Sequence, residues 1–149
     1  MTIYLDIDPP RATAQQKGEM VGADGRIHHY TKSRVRAAGN LMGIYLMHYA
    51  PEQPLTGAVY LHVTYVFGSK SGRKHHGEWK TTRPDTDNLL KLLKDVMTQC
   101  GFWEDDAQIA HECTSKMWDG GTGSYAKRGI YIEYGRLEED ENSKLCGEP

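Results

Sequence analysis

Hydrophobic and polar positions divide the chain into short segments of two different periods. Ile3, Leu5 and Ile7 alternate with polar residues over Thr2–Ile7, the period of a strand with one buried face, and Pro9-Pro10 ends the run. Residues 11–31 are polar and contain Gly18, Gly22 and Gly25. After Val21, the Ala23-Asp24-Gly25-Arg26 turn predicts a hairpin entering Ile27–Tyr30. Thr31 or Ser33 stands where a helix over 33–49 would be capped. Val35, Ala38, Met42, Tyr45, Leu46 and Tyr49 recur there at helical spacing, and Pro51 stops them. Strict alternation returns at Ala58–Phe67, where Val59, Leu61, Val63, Tyr65 and Phe67 share one face. Gly68–Thr82 has no period and reads as a mobile basic loop. A second helix is expected over 86–99, with Leu89, Leu92, Leu93 and Val96 as its buried stripe and Gly101 as a left-handed cap. Ala107–Trp118 and Lys127–Tyr134 read as strands, joined by what looks like a long hairpin turn at Asp119–Ser124. This order predicts an α/β fold, a small single-domain mixed sheet with helices packed against one face.

Composition narrows the class. At 149 residues the chain fits one domain, expected over 1–136, with a disordered acidic tail over 137–149. No apolar run approaches the roughly 20 residues that span a bilayer. The first ten residues lack the basic-then-apolar order of a signal peptide, so a cytoplasmic location is expected. Cys100, Cys113 and Cys146 are odd in number and widely spaced, which fits reduced thiols better than a disulfide framework. His111 and Cys113 lack a second pair that would complete a zinc site. The glycines near Asp119–Ser124 lack the Gly-Lys-Ser/Thr ending of a phosphate loop, so no nucleotide cofactor is expected.

Net charge is only −2, but its distribution is uneven. Residues 1–83 hold 11 Lys/Arg against 6 Asp/Glu, whereas residues 84–119 hold 3 against 8. An acidic segment beside a basic one binds phosphate poorly unless cations neutralise the acids. The acids themselves are grouped. Asp85 and Asp87 crowd the start of the second helix, where one cap would suffice, and like charges so close repel unless a cation is shared. Asp105-Asp106 follows just beyond the helix, after a Gly101-Phe102-Trp103 turn. Oxygen-rich clusters of this kind suit Mg²⁺ or Mn²⁺, which can polarise a phosphodiester and activate water. Lys91, one turn after Asp87, is placed to stabilise phosphate charge. The plain alternatives are a capped amphipathic helix and a solvated acidic turn.

The pattern Asp85-x-Asp87-Asn88-Leu89-x-Lys91, then Asp95, then Gly101-Phe102-Trp103-x-Asp105-Asp106-Ala107-Gln108-Ile109 resembles the signature of the RusA family of Holliday junction resolvases, common in phages and prophages. The strong resemblance covers about residues 83–118, with a weaker one at Pro10-Arg11-Ala12-Thr13. It implies that Asp85, Asp87 and Asp106 are the catalytic acids serving a divalent metal, and that Lys91 takes part in cleavage. It also implies a RusA-like homodimer whose paired sites nick opposed strands of a four-way DNA junction, in recombination, repair or phage DNA processing. The chain departs from the family in having only Arg83 where some members carry an arginine run, and in lacking a Pro-Ser-x-Asn segment near the N-terminus. The expected DNA-binding residues are therefore Lys70, Arg73, Lys74, Lys80 and Arg83, with Arg11, Lys17, Arg26, Lys32, Arg34 and Arg36 as secondary candidates. Trp79 is the candidate for stacking on an unpaired base, while Phe102 and Trp103 read as core anchors. A catalytically silent branched-DNA-binding module, a broader branched or flap nuclease, and a hydrolase of small phosphoesters are the competing classes.

Overall fold

A computed structural model describes residues 1–11, 17–31, 33–69, 75, 77–123 and 125–137. Its centre is a mixed four-stranded sheet of β1 (Thr2–Leu5), β4 (Val59–Phe67), β5 (Ile109–Trp118) and β6 (Gly129–Arg136), in the order β1-β6-β4-β5. β4 pairs parallel with β5 and antiparallel with β6, which pairs antiparallel with β1. β2 (Lys17–Val21) and β3 (Ile27–Thr31) form a separate hairpin, in which Gly25 takes φ +75°. Its turn lies where the Asp-Gly step predicts it.

Alternation in β4 sets the layers. Val59, Leu61, Val63, Tyr65 and Phe67 are all buried, while Tyr60, His62 and Thr64 on the other face are half-buried. Against the first set pack α1 (Ser33–Leu46), through Val35, Met42 and Leu46, and α2 (Thr86–Gln99), through Leu89, Leu93, Val96 and Met97. α1 tightens into a 3₁₀ turn at Met47–Tyr49, so the helical spacing expected as far as 49 has two geometries. Each fully buried leucine of α2 contributes about 2 kcal/mol of burial free energy. Tyr65, fully buried, donates its hydroxyl to the Leu89 carbonyl at 3.1 Å and so ties β4 to the first turn of α2. Burial pushes the Tyr65 phenol far above its ordinary value, so it stays a donor throughout.

β4, α2 and β5 form a parallel crossover unit, and α2 runs back along the two strands it connects. Its end is sharply defined. Gly101 takes φ +81°, its N–H bonds the Thr98 carbonyl, and the Phe102 N–H bonds the Met97 carbonyl, a Schellman closure. Phe102 and Trp103 are then driven into the core, at 0% and 1% exposed, as their apolar character predicts.

Three expectations need correction. Asp119–Ser124 does not lead a hairpin, because β4 lies between β5 and β6. The connection crosses the end of β4, with the Asp119 N–H on the Phe67 carbonyl and its carboxylate on the N–H and hydroxyl of Ser69. β5 begins at Ile109 rather than Ala107, because Asp106–Gln108 forms a 3₁₀ turn. Part of the expected loop at 68–82 is ordered: Trp79 bridges to Met117 beside β5, with the Trp118 N–H on the Glu78 carbonyl. Lys70, Arg73 and Lys74, and the tail from residue 138, lie outside the described residues. No helix among the described residues is long and apolar enough to cross a membrane.

Candidate active site

The Asp-x-Asp sequence sits at the N-terminus of α2. Asp85 is the N-cap residue with extended backbone (φ −77°, ψ 149°), yet its carboxylate makes no capping hydrogen bond. Asp87 lies in the first turn, and both acids are exposed. The partial positive charge of the helix N-terminus favours two carboxylates there. Lys91, one turn on from Asp87, is also exposed. Asn88 between them is turned inward, at 6% exposed, so the polar residues of this turn divide between core and cleft.

The second acid pair divides its roles differently. The Asp105 carboxylate accepts from the Ala107 N–H at 2.8 Å and, with Gln108, completes a capping box around the 3₁₀ turn. Gln108 reinforces the turn by accepting from the Glu104 and Asp105 N–H groups and donating to the Leu55 carbonyl. Asp106 is exposed, and among the described residues no hydrogen bond restrains its side chain.

These acids do not gather around one point within a single chain. Asp106 shares a shallow cleft of about 340 Å³ with Asp95, Thr98, Gln99, Glu104 and Asp105, at the C-terminal end of α2. Asp87 lines another, of about 260 Å³, at the opposite end. Eight residues of helix separate Asp87 from Asp95, about 12 Å along the axis at ~1.5 Å per residue. Among the described residues, no three His, Cys, Asp or Glu side chains come close enough to hold one metal ion.

The Asp87 cleft contains two groups that sequence reasoning missed. Glu112 and Thr114 of β5 line it together with Thr86 and Leu90. Glu112 is tethered by Lys94 at 2.9 Å. Among the described residues the Thr114 hydroxyl oxygen is buried without a hydrogen-bond partner, so a polar atom is left for water or a ligand. Their signal in the sequence was the i, i+2, i+4 spacing of Glu112, Thr114 and Lys116, which places them on one face of β5. Reading it required knowing that β5 is an edge strand running beside α2.

The expected basic residues separate as well. Arg83 and Arg11 are exposed, as a phosphate contact requires, and Trp79 is 67% exposed. Lys80, expected on the surface, is instead 3% exposed. Its ammonium donates to the carbonyl and hydroxyl of Thr82 and to the Arg83 carbonyl, and it lies 5.0 Å over the Phe67 ring and 4.9 Å over the Trp118 ring. Burial, with Lys116 and Arg11 nearby, holds its pKa below the ordinary lysine value. With these three acceptors already engaged, it has little capacity to reach DNA.

A profile described as endodeoxyribonuclease RusA matches residues 9–125, a span containing both acid pairs. A protein named crossover junction endodeoxyribonuclease rusA, from Lactococcus phage r1t, is 35% identical over 108 residues, covering 70% of this chain and 79% of that one. Match and motif coincide on the same stretch of chain, and this protein belongs to the endodeoxyribonuclease RusA family.

Proposed function

We propose that the protein is a divalent-metal-dependent endonuclease that resolves four-way DNA junctions, acting as a homodimer through Asp85, Asp87, Asp106 and Lys91. The observation that carries this reading is the freedom of the acids among the described residues. A helix start with two aspartates is ordinary if they cap it, but the Asp85 carboxylate caps nothing and the capping role at the second pair falls to Asp105. Mg²⁺ is commonly held by one or two carboxylates together with waters and substrate phosphate. The Asp85–Asp87 pair has donors of that kind, and Mn²⁺ would accept the same ones. Such a cation, when bound, supplies polarisation of the phosphodiester and an activated water.

The separation of the acids supports the dimer. If a two-fold axis sets α2 antiparallel to the same helix of a second copy, the N-terminal end of each meets the C-terminal end of the other. Asp85 and Asp87 then face the partner's Asp106, and symmetry repeats the arrangement once. Two such sites suit paired nicks in opposed strands. Lys91 stands beside the acids to stabilise negative charge on the phosphate. Exposed Arg11 and Arg83, with Lys70, Arg73 and Lys74, supply phosphate contacts, and Trp79 offers a ring for an unpaired base.

Replacing Asp85, Asp87 or Asp106 by Asn should abolish cleavage of a four-way junction while leaving binding intact or tighter, because repulsion of phosphate falls. Gel-shift and single-turnover cleavage measured side by side decide this. Wild-type cleavage by all three variants would end the assignment.

A further inference from the structure

Lys80 and Lys116 come from different segments and converge on one stretch of backbone. Lys80 Nζ donates to the Thr82 carbonyl at 2.8 Å, and to the Thr82 hydroxyl and the Arg83 carbonyl at 2.5 Å each. Lys116 Nζ donates to the same Thr82 carbonyl at 2.9 Å and to the Pro84 carbonyl at 2.6 Å. Every carbonyl from Thr82 to Pro84 is thus held by an ammonium, and the next residue is Asp85. The two lysines are also joined to each other, through the Lys80 N–H on the Lys116 carbonyl at 3.0 Å.

An ammonium taken out of water without a counter-ion is penalised, yet Lys80 is only 3% exposed. Among the described residues, neither lysine forms an ion pair with a carboxylate. Both ammoniums are instead bonded to the segment that leads into Asp85.

We propose that Lys80 and Lys116 are positioning residues for the acid site: they fix the Thr82–Pro84 backbone, and hence the entry of Asp85 into α2. This inference rests on the reading of Asp85 as a catalytic acid.

The test uses the full chain and three readouts: calorimetric Mn²⁺ binding without DNA, the Mg²⁺ dependence of single-turnover junction cleavage, and junction affinity in EDTA. Lys116→Met should raise the Mn²⁺ dissociation constant and the Mg²⁺ needed for half-maximal cleavage by about 10- to 100-fold, the usual scale for groups supporting metal ligands, with junction affinity within about twofold of wild type. Lys116→Arg, which keeps charge and reach, should recover most of that loss. Lys80→Met should shift both metal readouts in the same direction. If burial makes that variant unfold, the half-buried Lys116 pair decides alone. Wild-type Mn²⁺ binding by folded Lys116→Met would overturn the proposal. So would a loss of junction affinity as large as the loss of cleavage, which marks a DNA contact. Asp85→Asn measured in parallel separates the two levels. Cleavage by Asp85→Asn sinks the functional reading itself, whereas an inactive Asp85→Asn beside an unaltered Lys116→Met sinks only the positioning role.

Discussion

Asp105 and Asp106 are neighbours in sequence and differ in what holds them. One carboxylate is committed to a capping box; among the described residues no comparable bond restrains the other. Residue types and spacing brought both to notice, but only the local backbone distinguishes the cap from the exposed acid. Lys80 carries the opposite lesson. Glu78, Thr81 and Thr82 around it are polar and the adjoining Trp79 is itself 67% exposed, so nothing local announces burial. The aromatic rings that enclose it come from Phe67 and Trp118, far along the chain. Single charges can also be assigned a pH dependence. Asp6 accepts from Lys127 at 2.8 Å, and that bond holds its pKa below the ordinary 3.8. Because the folded value is the lower one, the contribution is fully present above pH 3.8 and is lost as pH falls through the folded value. Denaturant titrations of wild type and Asp6→Asn should therefore differ slightly at pH 7 and converge in strong acid. A gap that widens in acid would contradict the assignment.

At the level of elements, strands and helices were legible wherever one period ran unbroken. β4 and α2 fall within a residue of their expected limits, because strict alternation and a leucine stripe leave few other ways to bury apolar surface. The link between β5 and β6 differs from its expected form because a glycine-rich turn between two strands has the local signature of a hairpin. Adjacency is decided elsewhere, by β4 taking the centre of the sheet. The Tyr65–Leu89 bond joins that central strand to the helix carrying Asp87 and Lys91. Tyr65→Phe should lower stability by about 1 kcal/mol, the net worth of one buried hydrogen bond, with cleavage retained at temperatures where the variant stays folded. Thermal unfolding beside a cleavage assay checks both. An unchanged midpoint would mean that the hydroxyl contributes nothing to the fold.

At the scale of the whole molecule, the sequence offers the acids as candidates but not the distance between them. Spacing along a chain says nothing about which end of a helix a later residue reaches, and Asp106 reaches the end away from Asp87. A dimer with shared sites makes a prediction that a site within one chain does not. Mixed dimers of Asp87→Asn and Asp106→Asn chains should regain one intact site, pairing the unmodified Asp87 of one chain with the unmodified Asp106 of the other. They should then nick a single strand of the junction. If mixing two inactive variants restores no cleavage although mixed dimers form, the acids act within one chain.

The central claim is metal-dependent cleavage directed by DNA structure. It is tested most directly by incubating the wild-type protein with a synthetic four-way junction, a flap and a linear duplex, each with Mg²⁺, Mn²⁺ or EDTA. Paired, symmetric nicks in the junction with either cation, none with EDTA and none in the linear duplex are the predicted result. Junction binding without cleavage under any of these metal conditions would contradict the account and leave a DNA-structure-binding protein in its place.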